Sequence, residues 1–286
     1  MSKGATLVLI GILFLVPTAL AVPEAAAPPP GGTPGVHHDL NVRLLPAENR
    51  LVVIRDAVTL PAGRTRACFL LHDGLSPRLE DSPGMKLKRL SRAPRAEDFG
   101  LAPADFTLPE GVPVALYEVS RPGKAAGEWR FQLSYGGAIH HPVQAAAAEY
   151  ARGFSETPGT IEPQGAYLAG SSLWVPWFGE ELLTFRLTTR LGGGWDSVSQ
   201  GNRAGHRLEG GEQVTTWDCP DPTEEVYLVA GPFTEYEQAA GTVTAMAYLR
   251  KPDPALAERY LTTTASYLEM YQKLIGPSPT ASRASG

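Results

Sequence analysis

Six histidines, His37, His38, His72, His140, His141 and His206, are the side chains best suited to hold a metal or move a proton near neutral pH. Two adjacent pairs stand out, His37-His38 and His140-His141. Neighbours in an extended chain point to opposite faces, so each pair offers one ligand to any one site. No H-E-x-x-H occurs, the helical spacing that brings two imidazoles and a glutamate base to zinc. The histidines therefore read as solvated strand ends. Ser171 and Ser172 follow Gly170 without the G-x-S-x-G elbow of an activated serine, and read as a hydrogen-bonded turn. Gly192-Gly193-Gly194 lacks the lysine and helix of a phosphate loop. Glu180-Glu181 and Glu224-Glu225 read as solvated acids. No residue of the chain is assigned as catalytic, and none as a metal ligand.

The tryptophans carry more information. Trp174-Val175-Pro176-Trp177-Phe178 sets large rings beside a proline, and Trp195 and Trp217 fall at the ends of further strands. Core packing is the favoured reading, because such rings bring large apolar area. An exposed platform for a sugar or peptide is the alternative.

These residues must be positioned mainly by strands. Leu40, Val42 and Leu44 alternate with polar neighbours; so do Trp129, Phe131, Leu133 and Tyr135, and Leu183, Phe185 and Leu187. Period-two alternation gives one buried and one wet face, as in antiparallel sheets. Turn signals at Pro61-Ala62-Gly63, Asp73-Gly74, Arg121-Pro122-Gly123, Gly192-Gly193-Gly194 and Gly210-Gly211 separate the runs. The fold class expected is mainly β: an antiparallel sandwich or saddle. Residues 76–112 read as a polar excursion, and 145–154 as a short helix or loop insert. One amphipathic helix follows, with Asp253 as N-cap, Pro254 in its first turn and Gly276 as its stop. Its stripe is Ala257, Tyr260 or Leu261, Thr264, Leu268, Tyr271 and Ile275.

The net charge of −5 is dispersed, with no basic patch to track phosphates, which argues against nucleic acid. Lys3, the apolar run from Leu7 to Val16 and Ala19-Leu20-Ala21 form a secretory leader over 1–21. Export to the periplasm or extracellular space follows. The run falls short of the roughly 20 residues a membrane span needs, so no stable span is expected after cleavage. Residues 22–35 are a Pro/Ala/Gly-rich linker. Cys68 and Cys219 can pair in an oxidising compartment or persist as buried thiols; sequence does not decide.

Several pieces, in order, resemble the amino-terminal, non-catalytic domain of aminopeptidase N-like gluzincin zinc metallopeptidases of the divergent bacterial type. His38-Asp39-Leu40-Asn41-Val42 and Val58-Thr59-Leu60-Pro61 look like its first strands, and EWRFQLSY at 128–135 like its central strand. Gln164-Gly165-Ala166-Tyr167-Leu168 with Trp174-Val175-Pro176 resembles a segment with an acidic or amide residue ahead of a "WYP"-like run. Residues 194–201 resemble "gw..vs.G", Ala230-Gly231-Pro232-Phe233 resembles "aG.f", and 267–277 resemble the "yl..y...iGpyPy" entry to the catalytic domain. The resemblance implies zinc in the full-length family but no cofactor in this chain. The partner implied is the catalytic domain or a peptide substrate. Gln164 is the nearest match to the residue that binds the substrate amine, and Glu162 is the runner-up; a turn role is the alternative for both. The implied domains are a β domain over 36–250, a helix over 251–276 entering a missing catalytic domain, and a tail over 277–286. That tail departs from the family pattern and reads as a frameshifted or truncated end, or as natural disorder. The competing reading is a free-standing secreted β-sandwich that binds a peptide or carbohydrate.

Overall fold

The structure, a computed structural model, describes residues 13–17, 35–123, 127–145, 155–179, 182–241 and 243–276. Apart from Leu13–Pro17 and Gly35, the leader and linker lie outside the described residues. So do Glu180-Glu181, most of 145–154 and the tail 277–286.

In chain order the strands are β1 (Leu13–Pro17), β2 (Val36–Leu45), β3 (Arg50–Leu60), β4 (Arg66–His72), β5 (Arg78–Glu80), β6 (Lys86–Leu90) and β7 (Val114–Ser120). Then come β8 (Trp129–Ala138), β9 (Gln144–Ala145), β10 (Ser155–Glu156), β11 (Gly159–Glu162), β12 (Gly165–Leu168), β13 (Leu183–Leu191) and β14 (Asp196–Val198). Finally come β15 (Asn202–Glu209), β16 (Glu212–Thr223), β17 (Leu228–Gly231), β18 (Thr234–Ala240), β19 (Val243–Leu249) and the helix α1 (Pro254–Ile275). The protein is mainly β, with several antiparallel sheets and no closed barrel among the described residues.

Two compact units form: Pro28–Gly231, and Pro232–Gly286 with Met1–Ala27. In the larger, a seven-stranded sheet runs β15-β16-β13-β2-β3-β8-β5, a four-stranded sheet β11-β12-β17-β14, and a three-stranded sheet β4-β7-β6. The alternating residues of β2, β8 and β13 are buried as their pattern requires. One pairing departs from the antiparallel expectation: β2 and β13 run parallel. Polar residues 76–112 are also less of an excursion than they read, because β5 joins β8 and β6 joins β7. Trp129, Trp174 and Trp217 are fully buried core rings, while Trp177 and Trp195 are half-buried. Phe178 lies among Phe69, Phe131 and His38, at ring-centroid distances of 5.3, 6.4 and 6.1 Å. Neither Cys68 nor Cys219 is in a disulfide.

A bulge in β3 changes which residues face inward. Leu51 and Val53 are buried, Ile54 and Arg55 are both exposed, and burial resumes at Asp56, Val58 and Leu60. The register against β8 shifts between Val53 and Asp56. An extra residue on one strand re-aims the side chains beyond it, and here it turns a carboxylate into the core.

In the smaller unit the order is β1-β19-β18. Asp253 Oδ1 accepts from Leu256 N–H at 2.9 Å, so the expected N-cap forms. Ala257 and Leu261 bury α1 against Ala245 and Ala247, with Tyr236 alongside. The stripe fades toward the far end: Leu268 is half-buried, Tyr271 is 52% exposed and Ile275 82%. The last hairpin thus belongs with the helix rather than with the larger β unit. No helix among the described residues is long and apolar enough to cross a membrane.

Candidate functional site

Glu162 and Gln164 flank Pro163 at the tip of the β11–β12 hairpin. Glu162 pairs with Gly165, leaving Pro163 and Gln164 as a two-residue turn. Proline fixes φ near about −65°, and Gln164 has no positive φ, which suits a type I turn. Gln164 stands exposed. Glu162 is half-buried: it accepts from Thr160 Oγ1 at 3.2 Å and lies 3.6 Å from His140 Nδ1. The Thr160 hydroxyl in turn accepts from His140 Nδ1 at 3.1 Å.

The hairpin is anchored from below. Ile161 and Leu168 are fully buried, and β12 pairs antiparallel with β17. Asn49, in left-handed conformation after β2, donates from its side chain to Ile161 O; its own carbonyl accepts from Ile139 N–H at 3.2 Å. Beside the turn, Pro163 joins Leu44, Pro46, Leu191, Gly193 and Trp195 around an open cleft of about 300 Å³ with no charged side chain in its lining. Residues far apart in sequence make this cleft, so no local pattern marks it.

A second structure behind the hairpin escaped the sequence reading. Glu225, read as solvated, is half-buried and accepts from Gly170 N–H at 2.7 Å and from the Tyr227 hydroxyl. Gln200 bridges the same segment, donating to Glu225 O at 3.0 Å and accepting from Tyr227 N–H at 2.8 Å. The hydrogen bond to Glu225, then burial, pushes the Tyr227 phenol far up, so it acts as a donor. A Cβ on Gly170 would sit 2.4 Å from Glu225 Cβ, so only glycine allows this closure. Glu224 is exposed, as expected.

His140 and His206 are exposed as read, but His38 and His72 are not solvated. His38 is fully buried, and its Nδ1 donates to Asp56 Oδ1 at 2.9 Å. Tyr135 donates to Asp56 Oδ2 at 3.1 Å. His72 is also buried and meets His141. His206 pairs with Asp196 at 2.6 Å. Burial alone would raise the Asp196 carboxyl, but hydrogen bonds from His206, Thr215 and the Ser197 N–H outweigh it and hold it below the usual range.

An exposed amide oxygen with a carboxylate two residues away can accept hydrogen bonds from an ammonium group. The residues around it do not form an activated nucleophile. Ser172 donates to Ala169 O at 2.7 Å and Ser199 to Tyr227 O at 2.6 Å. Burial pushes the Cys219 thiol up to about 11.

No family model and no curated relative matches the chain. Solved structures do. The chain is similar to an M1 zinc metallopeptidase mutant from Deinococcus radiodurans bound to a Tyr-Ser-Ala substrate, with 17% identity and a TM-score of 0.52 over 86% of this chain and 55% of that one. It is also similar to an aminopeptidase N family protein from Idiomarina loihiensis, with 12% identity and a TM-score of 0.50 over 85% of this chain and 37% of that one. The chain thus spans about half the length, or less, of these solved structures. The residues of the hairpin region do not fit the zinc named for the first: there is no H-E-x-x-H, and the rings of His38, His72 and His140 are committed to Asp56, His141 and Thr160. The fold of the chain is thus similar to that of part of these metallopeptidase and aminopeptidase N family structures.

Proposed function

We propose that the chain is the non-catalytic, amino-terminal β-rich part of an exported aminopeptidase-like metallopeptidase, and that it presents the β11–β12 turn to the amino terminus of a peptide. The observation that carries this reading is the likeness over 86% of the chain to a solved metallopeptidase of which it matches 55%. In this reading the Gln164 amide oxygen accepts from the substrate ammonium, and Glu162 supplies negative charge beside it. The cleft walled by Pro163 and Trp195 receives an apolar side chain. Hydrolysis itself, with its zinc, belongs to the portion of such enzymes that this chain does not match. A free-standing sugar-binding module is less well supported, because the cleft lining offers one hydrogen-bonding side chain, the Trp195 indole, where a sugar needs several.

An amide-resolved NMR titration tests the proposal, with an unblocked tripeptide carrying an apolar first residue and with its N-acetylated form. The unblocked peptide is expected to shift Gln164 and the Trp195 indole, and Gln164→Ala to weaken binding roughly tenfold, on the order of 1.4 kcal/mol. Equal binding of the acetylated peptide would sink the amine-recognition role. Chelator-sensitive hydrolysis of an aminoacyl amide by the purified chain would show that it is not the non-catalytic part.

A further inference from the structure

Two imidazoles meet beneath the same hairpin. His72 ends β4 and is 5% exposed; His141 lies just beyond β8. Their Nε2 atoms are 3.1 Å apart, with ring planes at 75°. One proton fits between them, and the backbone decides which ring carries it. Gly74 N–H donates to His72 Nδ1 at 2.9 Å, so that nitrogen is bare. The neutral His72 ring must then be protonated at Nε2, which donates to His141 Nε2. His141 carries its own proton on Nδ1. This tautomer also argues against a shared metal ion, which would require both Nε2 lone pairs.

The pair joins segments 69 positions apart in the chain. The His72 N–H donates to Leu173 O at 2.8 Å, and the His141 N–H donates to Gly159 O, the first residue of β11, at 2.9 Å. His140 forms a bridge with Thr160. The two rings therefore tie the end of β4 to the strand that leads into Glu162, Pro163 and Gln164.

We propose that the His72–His141 pair is an acid-released latch on the β11–β12 hairpin, closed while both rings are neutral and opened when either is protonated. Protonating His141 at Nε2 removes the acceptor, and protonating His72 at Nδ1 expels the Gly74 N–H. The titratable groups nearby are Asp73, ion-paired with Arg89 at 2.5 Å, and His140, whose Nδ1 lies 3.6 Å from Glu162. The contacts from Leu173 and Gly159 are uncharged carbonyls. Burial first, and His141 second, lower His72 to about 4. Burial, then His140, lower His141. Both native values lie below that of the unfolded chain, near 6.5, so the unfolded state takes up protons first as the pH falls. The stabilisation is complete above about 6.5 and is lost as the pH falls toward about 4. The latch stands independently of whether the hairpin meets a peptide amine.

Imidazole nitrogen NMR and amide hydrogen exchange on the full chain test it. His72 is expected as the Nε2–H tautomer at neutral pH, titrating near 4. Between pH 7 and about 4.5, protection at His141 and Ile161 should fall roughly tenfold more than at Leu133 in β8. His141→Gln keeps an acceptor but cannot titrate, and should diminish that extra loss to the part that protonation of His72 causes; His140→Gln leaves the pair intact and should preserve it. A Nδ1–H tautomer, ordinary titration of His72, or undiminished acid loosening in His141→Gln would each overturn the latch. So would zinc that shifts both rings together, since it would reveal a metal site instead.

Discussion

At the scale of single residues, the strongest constraint is the carboxylate turned inward by the β3 bulge. Asp56 is fully buried and accepts from His38 and Tyr135, whose phenol is pushed well up by burial and by Asp56. His38 Nε2 has no hydrogen-bond partner among the described residues, so the imidazole relies on its Nδ1 contact. Removing one member of such a buried pair leaves the other stranded. Asp56→Ala is expected to destabilise by about 3–5 kcal/mol. Tyr135→Phe, which removes one donor to the buried carboxyl group, is expected to cost about 2 kcal/mol. Urea unfolding of the two variants checks both, and an Asp56→Ala loss below that of Tyr135→Phe would contradict the arrangement. The thiols give a second residue-level expectation. Cys219 is buried with its pKa raised to about 11, and burial also raises Cys68. A thiol reagent at pH 8 should label the native chain slowly and Cys219 last, and the unfolded chain at both sites; rapid native labelling of Cys219 would refute this.

At the scale of elements, local patterns were legible and distant ones were not. Leu40, Val42 and Leu44 announced β2 because alternation is written within the strand itself. Asp253, Pro254 and Gly276 marked both ends of α1 because caps are local chemistry. β6 (Lys86–Leu90) was missed because its solvent-facing lysines and arginine read as loop, although it pairs with β7 along its length. The burial of His38 was hidden for a different reason: its partner Asp56 faces inward only because of an irregularity in another strand. The turn role weighed for Gln164 fits its place between β11 and β12, whereas Glu162 is the last residue of β11. The cleft and the Glu225 clasp depend on segments that approach from far along the chain, so no local pattern marks them. Two substitutions test the element account. Asp253→Ala removes the N-cap acceptor and is expected to cost about 1 kcal/mol. Gly170→Ala forces a Cβ into Glu225 and should be worse than a surface change by about 1–3 kcal/mol, with Glu225→Gly, which removes the facing Cβ, partly relieving it. Equal stabilities of Gly170→Ala in the two backgrounds would remove the clash as the cause.

At the scale of the whole molecule, the exposed end of α1 gives the clearest expectation. Tyr267, Tyr271, Leu274 and Ile275 leave 52–82% of their surface open on one stretch of helix. Contiguous apolar surface of this kind promotes association. The chain should self-associate at micromolar concentration, and Tyr271→Glu with Ile275→Glu should return it to a monomer without lowering its melting temperature. Light scattering that finds the unmodified chain monodisperse and monomeric would count against this. The parallel pairing of β2 with β13 has a consequence in time rather than in space. It brings together residues 147 positions apart, as between His37 and Thr184. At synthesis rates of about 5–20 residues per second, roughly 7–30 s separate the emergence of one strand from that of the other. Through that interval β2 can pair with β3 while its second edge stays bare. A chain made from its first residue onward must keep that edge from other chains until β13 arrives, so the period of greatest danger to this protein lies before its sheet is complete.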